Sequence, residues 1–109
     1  VNDKVTFIHG ALPGERVRFR YTAVRRNRDE GEVVEVLESS PQRVEPRCPH
    51  FGLCGGCSLQ HLDPAAQIEY KQQTLLEAFA HLGKVEPEEI LPPLVNPSPW
   101  GYRRKARLG

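Results

Sequence analysis

The chain contains no methionine. Val1 therefore does not read as a native start, and the sequence is expected to be a piece of a longer protein. It has no long apolar run either. Nothing in it approaches the ~20 consecutive apolar residues that a membrane-crossing helix needs, so no membrane is expected among its partners. No charged-then-apolar leader is visible at the N-terminus. Cysteine is scarce and odd in number: three residues, all between positions 48 and 57. An odd, tightly spaced set fits poorly with a secreted disulfide scaffold, so a cytoplasmic protein is expected. An excess of one charge is also missing, since 15 basic and 14 acidic residues leave a net charge of +1. Overall charge thus says little about partners. With 39% hydrophobic and 27% charged residues in a 109-residue chain, the composition excludes general disorder.

Local charge says more. Residues 48–99 are acidic on balance, whereas residues 100–109 carry four basic side chains and no acidic one. Arg103, Arg104, Lys105 and Arg107 are therefore candidate phosphate contacts.

Lys4–His9 alternates and is rich in β-formers, so it reads as a strand. Pro13-Gly14 suits the centre of a type II turn. Arg16–Val24 is a cleaner strand, with Val17, Phe19, Tyr21 and Ala23 on one face and Arg16, Arg18, Arg20 and Thr22 on the other. Arg18 and Arg20 on that ladder are further candidates for phosphate contact. Residues 25–31 read as a polar connection and Glu32–Glu38 as a third strand. Short turns between neighbouring strands predict an antiparallel meander closing into a small barrel.

From Ser39 prolines break the regularity. Asp63-Pro64 is a helix start, with aspartate as N-cap and proline in the first helical position. Ile68, Leu75, Phe79 and Leu82 form an apolar stripe expected to be core, and Gly83 a stop. The helix is predicted over Pro64–Leu82. Residues 84–99 are proline-rich and aperiodic. Tyr102–Leu108 alternates like a further strand.

The residues that most suggest chemistry are CPHFGLCGGC, Cys48 to Cys57. The C-x5-C-x2-C spacing lets Cys54 and Cys57 reach one centre. The intervening Gly55-Gly56 allows a tight turn with backbone N–H groups close to sulfur. Three readings stay open on spacing alone. The thiolates could hold an iron–sulfur cluster with a fourth ligand elsewhere. They could bind zinc, with His61 or His50 completing a Cys3His site. Or they are ordinary buried or redox thiols.

CPHFGLCGGC followed by Ser58-Leu59-Gln60-His61 resembles the cluster loop of a bacterial family, the S-adenosylmethionine-dependent RNA uridine C5-methyltransferases. The similarity is greatest to the branch that modifies 23S ribosomal RNA and carries a [4Fe-4S] cluster. DKVTFIHGALPGERVRFRY with EGEVVEVLESSPQRVEPRC is similar to that family's TRAM domain, a small RNA-binding β-barrel. WGYRRKARL resembles the start of its central domain.

The resemblance implies an α+β chain in three parts. These are a TRAM-like barrel over 1–45, short of its first strand; a cluster loop over 46–62; and, over 63–109, a helix and the beginning of the central domain. It implies Cys48, Cys54 and Cys57 as three of four cluster ligands, with the fourth downstream of Gly109. The catalytic cysteine, the base and the S-adenosylmethionine pocket are also implied to lie downstream, so no catalytic residue falls within this chain. In the family's reaction a cysteine thiolate adds to C6 of uracil, and C5 then takes the methyl group. Ribosomal RNA is the expected partner. The full-length protein is expected to be monomeric, and the open barrel edge is expected to invite self-association of the fragment. The alternative is a stand-alone nucleic-acid-binding module with a Cys3His zinc knuckle.

Overall fold

The computed structural model describes residues 3–109, which form an α+β arrangement of three strands and one helix. The chain divides into two compact units, one reaching to Asp63 and one beginning at Pro64.

In the first unit β1 (Val5–His9), β2 (Arg16–Val24) and β3 (Arg28–Glu38) make one sheet in the order β1-β3-β2. The expected alternation is present, but the expected pairing is not. β2 and β3 form an antiparallel hairpin, whereas β1 runs parallel to β3, with Val5 opposite Arg28 and His9 opposite Glu32. The sheet is mixed and open rather than an antiparallel closed barrel. Alternation reports which face a side chain takes but not which strand lies alongside, so the meander was one of several topologies consistent with it.

The turn before β2 follows expectation. Gly14 takes a positive φ of 81° and the Glu15 amide donates to the Leu12 carbonyl at 3.2 Å.

β3 begins four residues earlier than expected, because Arg28–Gly31 is strand rather than connection. Gly31 sits at the centre of the sheet, opposite Ile8 on one side and Tyr21 on the other. A Cβ added there would lie 2.8 Å from the Phe19 ring and 2.9 Å from the Arg20 carbonyl oxygen. The absent side chain is what lets Phe19 lie across the strand, with its ring edge-on to Tyr21 at 5.0 Å. Gly31→Ala is expected to destabilise the sheet by about 1–3 kcal/mol, the range for overpacking a close contact. Chemical denaturation of the variant measures this.

The polar face of the hairpin is a ladder of ion pairs. Arg16 faces Glu38 at 3.8 Å, Arg18 faces Glu35 at 3.1 Å, and Arg20 pairs with Glu32. Exposed pairs of this kind are each worth about 0.2–1 kcal/mol. Their larger effect is on register, because a one-residue slip would set Arg16, Arg18 and Arg20 opposite uncharged positions such as Leu37, Val34 and Gly31 and lose all three pairs.

In the second unit α1 spans Pro64–Ala78 and starts at the expected proline. It ends in a wider π-helical turn, Phe79–Gly83. The stop is made by Lys84 rather than by Gly83: Lys84 takes the left-handed conformation at φ 51° and its amide donates to the Phe79 carbonyl. The apolar stripe is not core here. Leu75 and Phe79 are exposed, and Leu82 is 85% exposed. Ile68, Leu75 and Phe79 instead line an open groove with Ile90, Leu91 and Leu94 of the proline-rich segment. Residues 102–108 form no strand. A strand is stable only when its backbone groups pair, and none of the sheet's ladders reaches this segment. No helix of the described residues is long and apolar enough to cross a membrane.

Candidate metal centre and nucleic-acid interface

The cysteine loop hangs from a short two-stranded neck. The Asp63 amide donates to the Gln42 carbonyl at 2.8 Å and the Val44 amide to the His61 carbonyl at 2.9 Å. Between them Arg43 bridges antiparallel to Leu62. Leu62 is buried, and it is one of the few buried apolar side chains in the unit. A third tie closes the loop from the side-chain level: the Cys48 amide donates to Gln60 Oε1 at 3.1 Å.

The neck is fixed to the sheet by one ion pair. Arg43 Nε reaches Glu15 Oε2 at 2.6 Å, and Arg43 Nη2 donates to Glu15 Oε1 at 2.7 Å and to the Gly10 carbonyl at 2.6 Å. The Glu15 carboxylate is fully enclosed, with no exposed side-chain surface, and Arg43 is 23% exposed. The amides of Leu12 (2.8 Å) and Ser40 (3.0 Å) fill the carboxylate's remaining acceptor positions. A bidentate guanidinium and two backbone donors are what a buried carboxylate needs to stay charged. The Arg43 hydrogen bonds, outweighing the opposing effect of burial, hold the Glu15 pKa down at about 2 against an ordinary 4.5. Arg43 is correspondingly pushed up by the same hydrogen bonds.

Within the loop the chain turns tightly. The Phe51 amide donates to the Cys48 carbonyl at 3.2 Å, and the Leu53 and Cys54 amides both donate to the His50 carbonyl, at 3.1 and 2.9 Å. Phe51 and Cys54 also form an isolated bridge. The Gly56 amide lies 3.4 Å from Cys54 Sγ, so one backbone donor addresses a cysteine sulfur. All three cysteines are free; Cys48 is half-buried, and Cys54 and Cys57 are exposed.

His61 is the loop's buried polar residue. It is 5% exposed, its Nδ1 has no hydrogen-bond partner, and its ring lies at a tilt against Phe51 with centroids 5.2 Å apart. Burial, and then the nearby Arg43 charge, push its pKa below the ordinary value; the Glu15 charge acts the other way. Burial and the Arg43 charge both favour the neutral imidazole over its charged form.

The donor set fits a thiolate-held group in kind: soft, free thiols on a glycine-rich turn with a backbone N–H at sulfur. It does not fit in number or placement. Three thiols are one short of the usual four. Among the described residues no three histidine, cysteine, aspartate or glutamate side chains are drawn to one centre that could hold a metal ion.

The candidate RNA contacts fall into two groups. Arg18 and Arg20 are exposed but engaged with Glu35 and Glu32. Arg103, Arg104, Lys105 and Arg107 are exposed on an irregular, extended segment free of acidic residues. The Arg103 guanidinium lies 5.9 Å from the Tyr102 ring centroid. Sequence reasoning named both groups, and acidic neighbours across the strand mark the first of them. It missed Glu15 and Arg43 as the support of the loop, since neither stands in a motif.

No family model matches the chain. Its sequence is nevertheless similar to proteins named as methyltransferases of ribosomal RNA. Over all 109 residues it is 62% identical to the 23S rRNA (uracil(1939)-C(5))-methyltransferase RlmD of Nitrosococcus oceani. It is 59% identical to that of Alkalilimnicola ehrlichii over 98% of the chain, and 55% identical to that of Bordetella pertussis over 96%. The chain is a homologue of these RlmD proteins. It spans about a quarter of their length, 24%, 24% and 22% respectively.

Proposed function

We propose that this chain is the RNA-binding and iron–sulfur portion of an S-adenosylmethionine-dependent methyltransferase that forms 5-methyluridine in 23S ribosomal RNA. The observation that carries the reading is identity of up to 62% across the whole chain with proteins named for that reaction. The cysteine loop and the basic tail both lie within the matched residues. The first 45 residues act as the TRAM-like RNA-binding part. Cys48, Cys54 and Cys57 ligate a [4Fe-4S] cluster whose fourth cysteine belongs to the remainder of the full-length protein. The catalytic thiolate, the base and the S-adenosylmethionine site belong to that remainder as well.

Methyl transfer to C5 moves no net electrons, so the cluster orients and stabilises the loop rather than reacting. This chain's own residues bind and position. The basic tail carries more of the phosphate contact than Arg18 and Arg20, whose charge is largely neutralised by Glu35 and Glu32. Each neutralised phosphate releases condensed counterions, so each tail residue adds to the salt dependence of binding.

The test uses the full-length protein with 23S rRNA and methyl-labelled S-adenosylmethionine. Label is expected at uracil C5. Replacing Arg103, Arg104 and Lys105 together by alanine is expected to weaken RNA binding and to flatten the slope of log affinity against log salt by about 2. Label on another base would contradict the reaction, and an unchanged slope would contradict the role of the tail.

A further inference from the structure

On β1 the apolar residues point the wrong way for a simple core. Val5 and Phe7 are 58% and 55% exposed, while Thr6 and Ile8 are half-buried. A lone exposed apolar residue needs no explanation; what marks Phe7 is its company. Residues paired in register present their side chains on the same face of a sheet. Phe7 pairs with Glu30, and His9 pairs with Glu32, which faces Arg20 on β2. Phe7 therefore lies on the arginine-bearing face, opposite to the face of Phe19 and Tyr21. The carboxylate one strand away from it is shared: Glu30 Oε1 takes Arg28 Nε at 3.4 Å and Arg25 Nε at 3.9 Å. Both guanidiniums are at least half exposed. With Arg20 on Glu32, three guanidiniums meet two carboxylates around one exposed ring. The far end of the ladder differs, because Arg16 and Arg18 each have a carboxylate of their own.

We propose that Phe7 is a base-stacking residue for single-stranded RNA, and that Arg25 and Arg28 hold the phosphates flanking the stacked base. The proposal rests on the reading of the first 45 residues as an RNA-binding part, and it names the side chains that do the binding. A nucleobase laid on the ring removes two apolar faces from water. Every base has such a face, so the contact tolerates any sequence. Planar guanidiniums match phosphate oxygens in geometry as well as charge. An aromatic platform with surplus cations at its edge thus suits a polyanion of flat bases. An apolar protein partner would leave the surplus guanidinium unmatched. A duplex keeps its bases stacked on one another, whereas an unpaired strand can lay one on the ring.

Three forms of the full-length protein test this: wild type, Phe7→Leu and Phe7→Trp. The probe is a short single-stranded RNA copied from 23S rRNA around the methylated uracil, together with versions of it that each lack one base. Affinity is measured across a salt series, and melting temperature on the same preparations. Phe7→Leu is expected to weaken binding about tenfold, within the range for losing one stacked base. Its salt slope is expected to match wild type, because no phosphate contact is touched. Phe7→Trp is expected to bind at least as tightly as wild type. One base-lacking RNA is expected to bind wild type about tenfold more weakly than the complete RNA, yet to bind Phe7→Leu as well as the complete RNA does, which couples that base to the ring. Equal affinity of wild type and Phe7→Leu would overturn the proposal. So would the absence of any base coupled to position 7; if both variants then also melt lower, the ring is packed under another part of the protein or a second copy. Wild-type protein that binds no RNA would instead refute the RNA-binding reading beneath the proposal. That outcome is read first, before any variant is compared.

Discussion

Arg43→Ala is expected to destabilise the unit ending at Asp63 by about 3–5 kcal/mol, the range for removing one partner of a buried ion pair. The reason lies in what is left behind. Glu15 has no exposed side-chain surface, so without Arg43 its carboxylate keeps only two amide donors. It must then either remain charged in a poor solvent or take up a proton. The Gly10 carbonyl loses its donor as well. Among the described residues the unit's buried apolar side chains are few, Leu12 and Leu62, so little else offsets the loss. The double replacement Glu15→Leu/Arg43→Leu is expected to recover much of it, because an apolar pair leaves no uncompensated charge. Urea denaturation of the three variants separates these outcomes.

The same pair fixes how the protein responds to acid. Glu15 has a folded pKa of about 2 against an ordinary 4.5. A depressed carboxylate pKa contributes stability that is complete above 4.5 and is lost as pH falls from 4.5 to 2. By linkage that contribution is about 3 kcal/mol. His61 adds to the effect at milder pH. Its folded pKa lies below 6.5, so the unfolded chain binds the proton first and stability begins to fall as pH drops through 6.5. The unit is therefore expected to lose stability in two stages on acidification. Arg43→Ala is expected to erase the lower one.

Cys54→Ser in the full-length protein is expected to lose most of its iron while keeping its fold and its affinity for RNA. Cys54 sits at the tightest point of the loop. Its amide is bonded to the His50 carbonyl and its sulfur is met by the Gly56 amide. A serine oxygen is a hard ligand and a poor replacement for a thiolate on iron. The loop would still close, because the neck bonds among Gln42, Val44, His61 and Asp63 are backbone bonds that involve no sulfur. Phosphate contact by residues 103–107 does not depend on sulfur. Iron analysis and an RNA-binding assay on the same preparation check both halves, and loss of RNA affinity alongside iron would mean that the loop itself contributes to the interface.

Much of this was legible in the sequence, and the misses share a cause. β2 followed from strict alternation, and the start of α1 from Asp63-Pro64, because both signals are local. The three thiols were visible from spacing alone. Strand order was not, since β1 and β3 are more than twenty residues apart and alternation carries no information about partners. Gly31 looked like a linker residue, yet it is a strand position emptied to admit Phe19. Glu15 and Arg43 lie 28 positions apart, one in a turn and one in a connector, and only the folded neck joins them. The arginine ladder was read from one strand, and the carboxylates opposite it became apparent only with the register. The apolar stripe of α1 was read as core from its period alone. Period establishes that a face is apolar but not that anything covers it.

The most direct test of the account is the metal content of the full-length protein purified without oxygen. Iron and acid-labile sulfide in equal amounts, near one cluster per chain, are what a loop of Cys48, Cys54 and Cys57 with a fourth cysteine from the rest of the protein predicts. Stoichiometric zinc without sulfide would contradict it and would return the site to three thiolates completed by a histidine.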